Sequence, residues 1–268
     1  MTTTTSTPIG SRVRLACGAM LSLITICGCG AAAYEARLEE TNKYFRYMEV
    51  LDQNLGPVWR DSGVELRAPR QFQLMPKPVP PKVEEGQPVP VLIDPRQPDY
   101  LNFEFPGLLG AWQTTVNANV NGTVAPRKAF IYVISNYSMF SQATQIEKAP
   151  QFSQNFLDRF WQILSIPEDQ RRSSQEKYPK GVGYQPDKNF TVINLRPMQS
   201  IDGVQYLFDI YLIQQQDVQV AVVVATPADS DATNFLAKGV PLMLETMKLT
   251  GEKPRAGSQK SASTPAAF

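Results

Sequence analysis

Histidine is absent from all 268 residues. That absence removes the commonest general base, the Ser-His-Asp and Cys-His arrangements, and the usual zinc ligand. Cysteine is nearly absent too: Cys17, Cys27 and Cys29 all stand in the first thirty residues. If the chain is cut before Cys29, one cysteine remains and lipid occupies it. No intrachain disulfide, thiolate metal site or Cys nucleophile is then available. A charge excess of either sign is also lacking, with 26 basic and 25 acidic residues. This balance argues against a nucleic-acid partner, and no polybasic run marks an anionic membrane surface. Neither a P-loop nor a G-x-G-x-x-G stretch occurs.

What is present begins with an address. Arg12 and Arg14 supply a positive n-region, and Leu15–Ile26 is an apolar run of signal-sequence length. Ile26-Cys27-Gly28-Cys29 follows and resembles the lipobox of bacterial lipoproteins. An aliphatic residue stands at −3 and a small one at −1 of the cysteine to be acylated. Cys29 is therefore the expected lipid-attachment residue, and residues 1–28 the signal peptide. Cys27 would place Ile26 at −1, and Cys17 would place Arg14 at −3, so both fit the pattern less well. The alternatives are an uncleaved anchor over residues 15–33 and an ordinary signal peptide. Each sends the chain out of the cytoplasm.

Residues 29–57 are expected to form a stalk helix. Ala31, Ala32, Ala33 and the Glu, Arg and Leu content favour it. Tyr34, Leu38, Phe45, Met48, Leu51 and Leu55 recur at a spacing of three to four. Gly56-Pro57 stops it. The same spacing admits a coiled-coil or partner-binding helix, with Thr41 and Asp52 at seam positions. Residues 66–106 hold ten of the 22 prolines. Proline fixes φ and lacks an amide donor, so 58–98 is expected to be an extended, semi-rigid spacer. A ligand for a proline-recognising module is the other reading.

The folded domain is expected over 99–250. Strands are expected at Tyr100–Phe105, Ala111–Val120 and Ala129–Ser135, the last two joined at Asn121-Gly122, a hairpin-turn dipeptide. Phe152, Phe156, Phe160 and Ile163 fall on one face of a helix over 152–164. Glu168–Lys188 reads as a long polar loop. Strands follow at Phe190–Leu195, Val204–Gln214 and Val218–Ala225, the last apolar on both faces and so central. Asp229 and Asp231 offer N-caps for a closing helix to about Lys248, which Pro241 should kink or divide. Residues 251–268 are expected to be a disordered tail. The class is α+β: an antiparallel sheet covered by two helices, preceded by an N-terminal helix and a proline-rich spacer.

This pattern resembles the PsbP-like fold, including its bacterial lipoprotein members. The matching pieces are Phe105-Pro106 leading to Trp112, a mid-chain helix, two long consecutive strands, and a closing Leu244-Glu-Thr-Met-Lys-Leu249. The resemblance covers residues 100–250 and departs from the pattern at the polar stretch 168–188. It implies a helix-covered sheet sandwich and an accessory, assembly or binding role rather than an enzyme. It assigns no binding residue.

Candidate chemistry is sparse. Ser174 and Lys177 match S-x-x-K, without an S-D-N or K-T-G partner. Asp229 and Asp231 suit a helix cap better than a cation. Asn121, Asn136 and Asn189 begin N-x-S/T triplets. Tyr132, Tyr137, Phe140, Trp161, Tyr206, Phe208 and Tyr211 would mark an interaction site if several share one exposed patch. The expectation is a non-catalytic exported lipoprotein without metal or cofactor. The lipid would hold it at a membrane of the cell envelope, where it would meet a protein partner. A small-molecule or lipid-binding module is the alternative, and an enzyme using carboxylates or a Ser/Lys pair the next.

Overall fold

The computed structural model describes residues 10–79, 94–120, 122–181, 183–197, 200–201 and 203–254, with side chains from residue 31 onward. The protein is α+β, with antiparallel sheets and, among the described residues, three α-helices. It divides into two units, residues 1–51 and 52–268. The first unit is helical: α1 (Gly10–Asn54) is continuous and contains the expected stalk helix. Its exposed face carries the Glu39–Lys43 ion pair at 2.7 Å, one turn apart. Helix α1 ends where expected, and Gly56 N–H turns back to donate to the Ala68 carbonyl at 2.7 Å.

The second unit opens with strands where a spacer was expected. β1 (Trp59–Asp61) and β2 (Val64–Leu66) form a hairpin through Ser62 and Gly63, both at positive φ. β3 (Gln73–Leu74) follows, and Val64, Leu66, Ala68 and Phe72 are buried. The expected linker over 58–98 is thus folded in its first third. The reason is that apolar residues between the prolines find partners. Trp59 packs edge-on against Trp112 at 5.1 Å, and Phe72 meets Phe235 at 6.1 Å. Residues 80–93, the centre of the proline-rich stretch, lie outside the described residues.

Residues 100–105 form no strand, contrary to expectation. Their backbone is satisfied by a side chain instead. The Gln97 amide accepts from Phe105 N–H at 2.7 Å and donates to the Phe105 carbonyl at 3.2 Å. This mimics a strand pairing and drops Phe105 into the core, where it meets Tyr132, Phe156 and Phe160.

The main sheet contains β4 (Leu108–Val120), β5 (Thr123–Ser135), β6 (Ser174–Tyr178), β7 (Lys188–Leu195), β8 (Tyr206–Gln215) and β9 (Val218–Pro227). Its order is β3-β4-β5-β9-β8-β7-β6, antiparallel throughout. Gly122 at φ +82° makes the expected β4–β5 turn, and Gln216 at φ +54° turns β8 into β9. Strand β9 is buried along its whole length, as its sequence requires of a central strand. The expected loop over 168–188 contains the edge strand β6, whose polar side chains conceal it from hydrophobic periodicity.

Both faces of the sheet are buried. On one, Phe130, Tyr132, Phe208, Ile210 and Val223 pack with Phe152, Phe156, Leu157 and Phe160 of α2 (Phe152–Ile163). On the other, Ile131, Val133, Val192, Val222 and Val224 are equally buried. Helix α3 (Thr233–Thr246) touches β2 and β6 and buries Val240, Met243 and Leu244. Pro241 leaves it undivided. After α3, β10 (Lys248–Leu249) pairs with β2. Residues 255–268, most of the expected tail, lie outside the described residues.

A buried polar hub joins these elements. The Asn136 amide donates to the Ala149 carbonyl at 3.0 Å and to the Asp217 carbonyl at 2.9 Å, and accepts from Gln219 N–H at 2.9 Å. Gln219 in turn donates to the Pro150 carbonyl at 2.7 Å and accepts from Ser153 N–H at 2.9 Å. The last bond satisfies a free donor at the start of α2, which has no side-chain cap of its own. Asn136→Ala strands several of these groups and is expected to cost about 2–4 kcal/mol in urea unfolding, with the slope of the transition unchanged.

A second clamp fixes the start of β4. Buried Arg96 donates to the Leu109 carbonyl at 2.9 Å and forks onto Asp94 at 2.6–3.1 Å. Hydrogen bonding from Arg96 holds the Asp94 carboxyl below the usual aspartate range. A depressed folded pKa adds stability that is fully present above the unfolded value and is lost as pH falls through the folded one. Asp94→Asn is therefore expected to flatten the acid side of a stability-versus-pH curve while lowering stability at neutral pH.

Candidate functional site

Each chemical candidate in the sequence has a defined place. Ser174 and Lys177 both lie on edge strand β6, three residues apart. A strand alternates its side chains, so an offset of three puts them on opposite faces. Both are exposed, and Lys177 pairs with Asp187 at 2.7 Å. The pair therefore has no shared cleft in which one side chain could activate the other.

Asp229 and Asp231 do not cap α3 as expected. The residue before that helix is Ala232, with no side-chain cap bond. Asp231 instead accepts from Asn117 N–H and from the Asn117 side-chain amide, each at 3.0 Å. Asn119 N–H donates to the Asp229 carbonyl at 3.1 Å, and Asp231 N–H donates to the Asn117 carbonyl at 3.0 Å. Both acids thus seal the outer edge of β4. Among the described residues no cluster of three metal-ligating side chains occurs.

Of the glycosylation triplets, Asn136 is buried in the polar hub, Asn189 is exposed on β7, and Asn121 lies outside the described residues. The aromatic candidates form no single patch. Tyr132, Tyr206, Phe208 and Tyr211 are core, while Tyr137, Phe140 and Trp161 are half-buried. Tyr100, which the sequence reading placed on a strand, lies between Phe130 and Tyr206, stacked at 5.0 Å from each. Burial pushes its phenol well above the ordinary range, so it stays protonated.

Cys29 lies within α1, but its side chain falls outside the described residues, as do those of Cys17 and Cys27. Among the described residues no helix is long and apolar enough to cross a membrane.

One concavity lies among residues that no motif in the sequence marks. It is an open groove of about 610 Å³ beside α2. The segment 102–107 forms one wall, and the 3-10 turns over Tyr137–Ser141 and Ile146–Gln151 supply another. Its apolar surface comes from Phe103, Pro106, Met139, Phe152 and Phe156. Arg159 and Lys148 stand exposed among them, with Glu104 as the acid. Arg159 lies over the Phe103 ring at 5.8 Å, a cation–π arrangement. Among the described residues neither Arg159 nor Lys148 is ion-paired.

Local chemistry explains the groove's shape. Gly107 sits at φ +61°, and a Cβ there would stand 2.0 Å from the Ser135 carbonyl oxygen. Only glycine lets the chain press that close and turn from the 102–107 wall into β4. The polar hub fixes the start of α2, and with it Phe152 and Phe156. The two phenylalanines at i and i+4 were legible as a helical face. The 102–107 wall is not, because Tyr100–Phe105 carries the alternation of a strand.

The groove's lining separates into scaffold and surface. Phe156 is buried in the core cluster, and Phe156→Ala is expected to cost about 3–5 kcal/mol of stability. Arg159→Ala removes only an exposed cation–π contact, worth about 0.5–1 kcal/mol, and should leave the unfolding midpoint nearly unmoved. Arg159 is thus the residue whose replacement probes the groove without unfolding the protein, as thermal melts of the two variants would show.

No family model matches the chain, and no curated protein matches it.

Proposed function

We propose that this chain is an exported lipoprotein, held at a cell-envelope membrane by a lipid on Cys29, that acts as a non-catalytic interaction or assembly factor. The groove beside α2 carries the reading. It presents half-buried aromatic and apolar surface flanked by two cations that no acid in the described fold neutralises. Surfaces of that kind suit a partner with an apolar segment and a nearby negative charge, since a desolvated aromatic anchor supplies affinity and a charge pair supplies specificity. The helix-covered sheet accords with the PsbP-like sandwich that the sequence resembles, and such a sandwich is the finer fold assignment proposed here.

A second reading rests on the same observation. The groove's volume lies in the range of small-ligand sites, so a small amphiphile with an anionic group is its other natural occupant. The two readings separate by what co-purifies.

The experiment is affinity purification of the tagged protein from detergent-extracted membranes, followed by mass spectrometry of protein and small molecules. The expected result is a chain beginning at acylated Cys29, with a protein partner that Arg159→Glu releases. An unmodified chain starting upstream of Cys29 would sink the anchor. A partner retained at full level by Arg159→Glu would sink the groove.

A further inference from the structure

The groove beside α2 is lined by polar groups as well as apolar ones, and those polar groups are idle. Asn102, Ser138, Gln145 and Asn155 all line it, and all four are exposed. Among the described residues none of these four side chains makes a hydrogen bond. On α2, Phe152, Asn155, Phe156 and Arg159 stand at offsets of three, four and seven, which sets them on one face of the helix. A ring, an amide, a ring and a cation therefore follow one another along the helical wall of the groove.

These features sort the possible occupants. An acyl chain has no hydrogen-bonding groups, so it would strip water from four polar side chains and return nothing. An extended peptide offers what the lining lacks, because each residue brings a donor and an acceptor on its main chain. A side-chain carboxamide can take both, and the fold itself contains that pairing. Gln97 accepts from Phe105 N–H at 2.7 Å and donates to the Phe105 carbonyl at 3.2 Å. Charge fixes the sign of the partner, since the lining holds two cations, Arg159 and Lys148, against one acid, Glu104. Spacing follows from strand geometry. Side chains two apart on an extended chain share one side and stand ~7 Å apart. The Arg159 guanidinium is 5.8 Å from the centre of the Phe103 ring. An apolar residue resting beside Phe103 thus brings an acid two positions along within reach of Arg159. We infer that the groove takes an extended peptide segment of a partner protein, carrying an apolar residue and, two positions along, an aspartate or glutamate. Arg159 pairs with the carboxylate, and Asn155, one turn earlier on α2, clasps the main chain. The inference rests on the interaction-factor reading of this groove and names the kind of partner that reading leaves open.

The test displays internal stretches of randomised sequence on phage and selects them against the full-length chain in lipid nanodiscs. The Arg159→Glu chain is selected in parallel, once its thermal melt matches the parent's. The parent should enrich apolar-x-Asp and apolar-x-Glu, and Arg159→Glu should enrich apolar-x-Lys and apolar-x-Arg. A peptide made from the parent's selection should bind Asn155→Ala at least ~5-fold more weakly. Scanning N-methylation along that peptide should weaken binding to the parent at one position and leave binding to Asn155→Ala unmoved there. An empty selection would overturn the inference, and so would the same sequences enriched by the parent and by Arg159→Glu. Sodium dodecanoate bound by the parent, with no peptide enriched, would make an anionic amphiphile the occupant instead. The membrane pull-down keeps the two readings apart. A partner that Arg159→Glu releases there, with no peptide enriched here, leaves the interaction reading standing and overturns only the extended peptide, because a folded surface then fills the groove.

Discussion

The architecture around the groove depends on two neutral amides buried together. Asn136 directly follows β5, and Gln219 is the second residue of β9. Between them they bind three loop carbonyls, one another, and the first turn of α2. Burying an amide is costly unless each donor and acceptor finds a partner, and satisfied networks of this kind select one arrangement over its neighbours. Hydrophobic burial would let α2 slide or rotate on the sheet with little penalty. The hub does not. It specifies which end of the helix meets which strand, and therefore which aromatic rings reach the surface.

The same logic applies on a smaller scale at the two other polar devices. Gln97 substitutes for a missing strand neighbour of Phe105, and Arg96 holds β4 by the Leu109 carbonyl. Arg96 and Gln97 lie in the segment 94–107, which has no helix or strand and packs Tyr100 and Phe105 onto the sheet face that α2 covers. Irregular backbone is tolerated there because side chains satisfy its hydrogen bonds. The groove exists where this segment stands off from α2, so it arises from the least regular part of the fold.

These features explain what could be read from the sequence. The β8–β9 hairpin and α2 were legible because their burial follows simple periods: two for Tyr206, Phe208 and Ile210, and about four for Phe152, Phe156 and Phe160. The alternation in Tyr100–Phe105 was real as a burial pattern, but a side-chain amide had taken the place of a strand. Strand β6 was hidden because a sheet edge needs few apolar residues, and only Tyr178 in it is buried. The strands at 59–74 were hidden by neighbouring prolines. The aspartates before α3 had the chemistry of a cap, yet the exposed backbone of β4 competed for them and won. The groove combined residues from three separate segments, a juxtaposition that no local pattern encodes.

The sealing of β4 by Asp229–Asp231 has a consequence for association. An open strand edge is a template on which further copies can add without limit. Here the outer side of β4 carries the two-residue β3 and, further along, the Asp229–Asp231 bonds to Asn117 and Asn119. The opposite border, β6, is five residues long and bears Gln175, Glu176 and Lys177. Neither border offers a long free strand on which further copies could add.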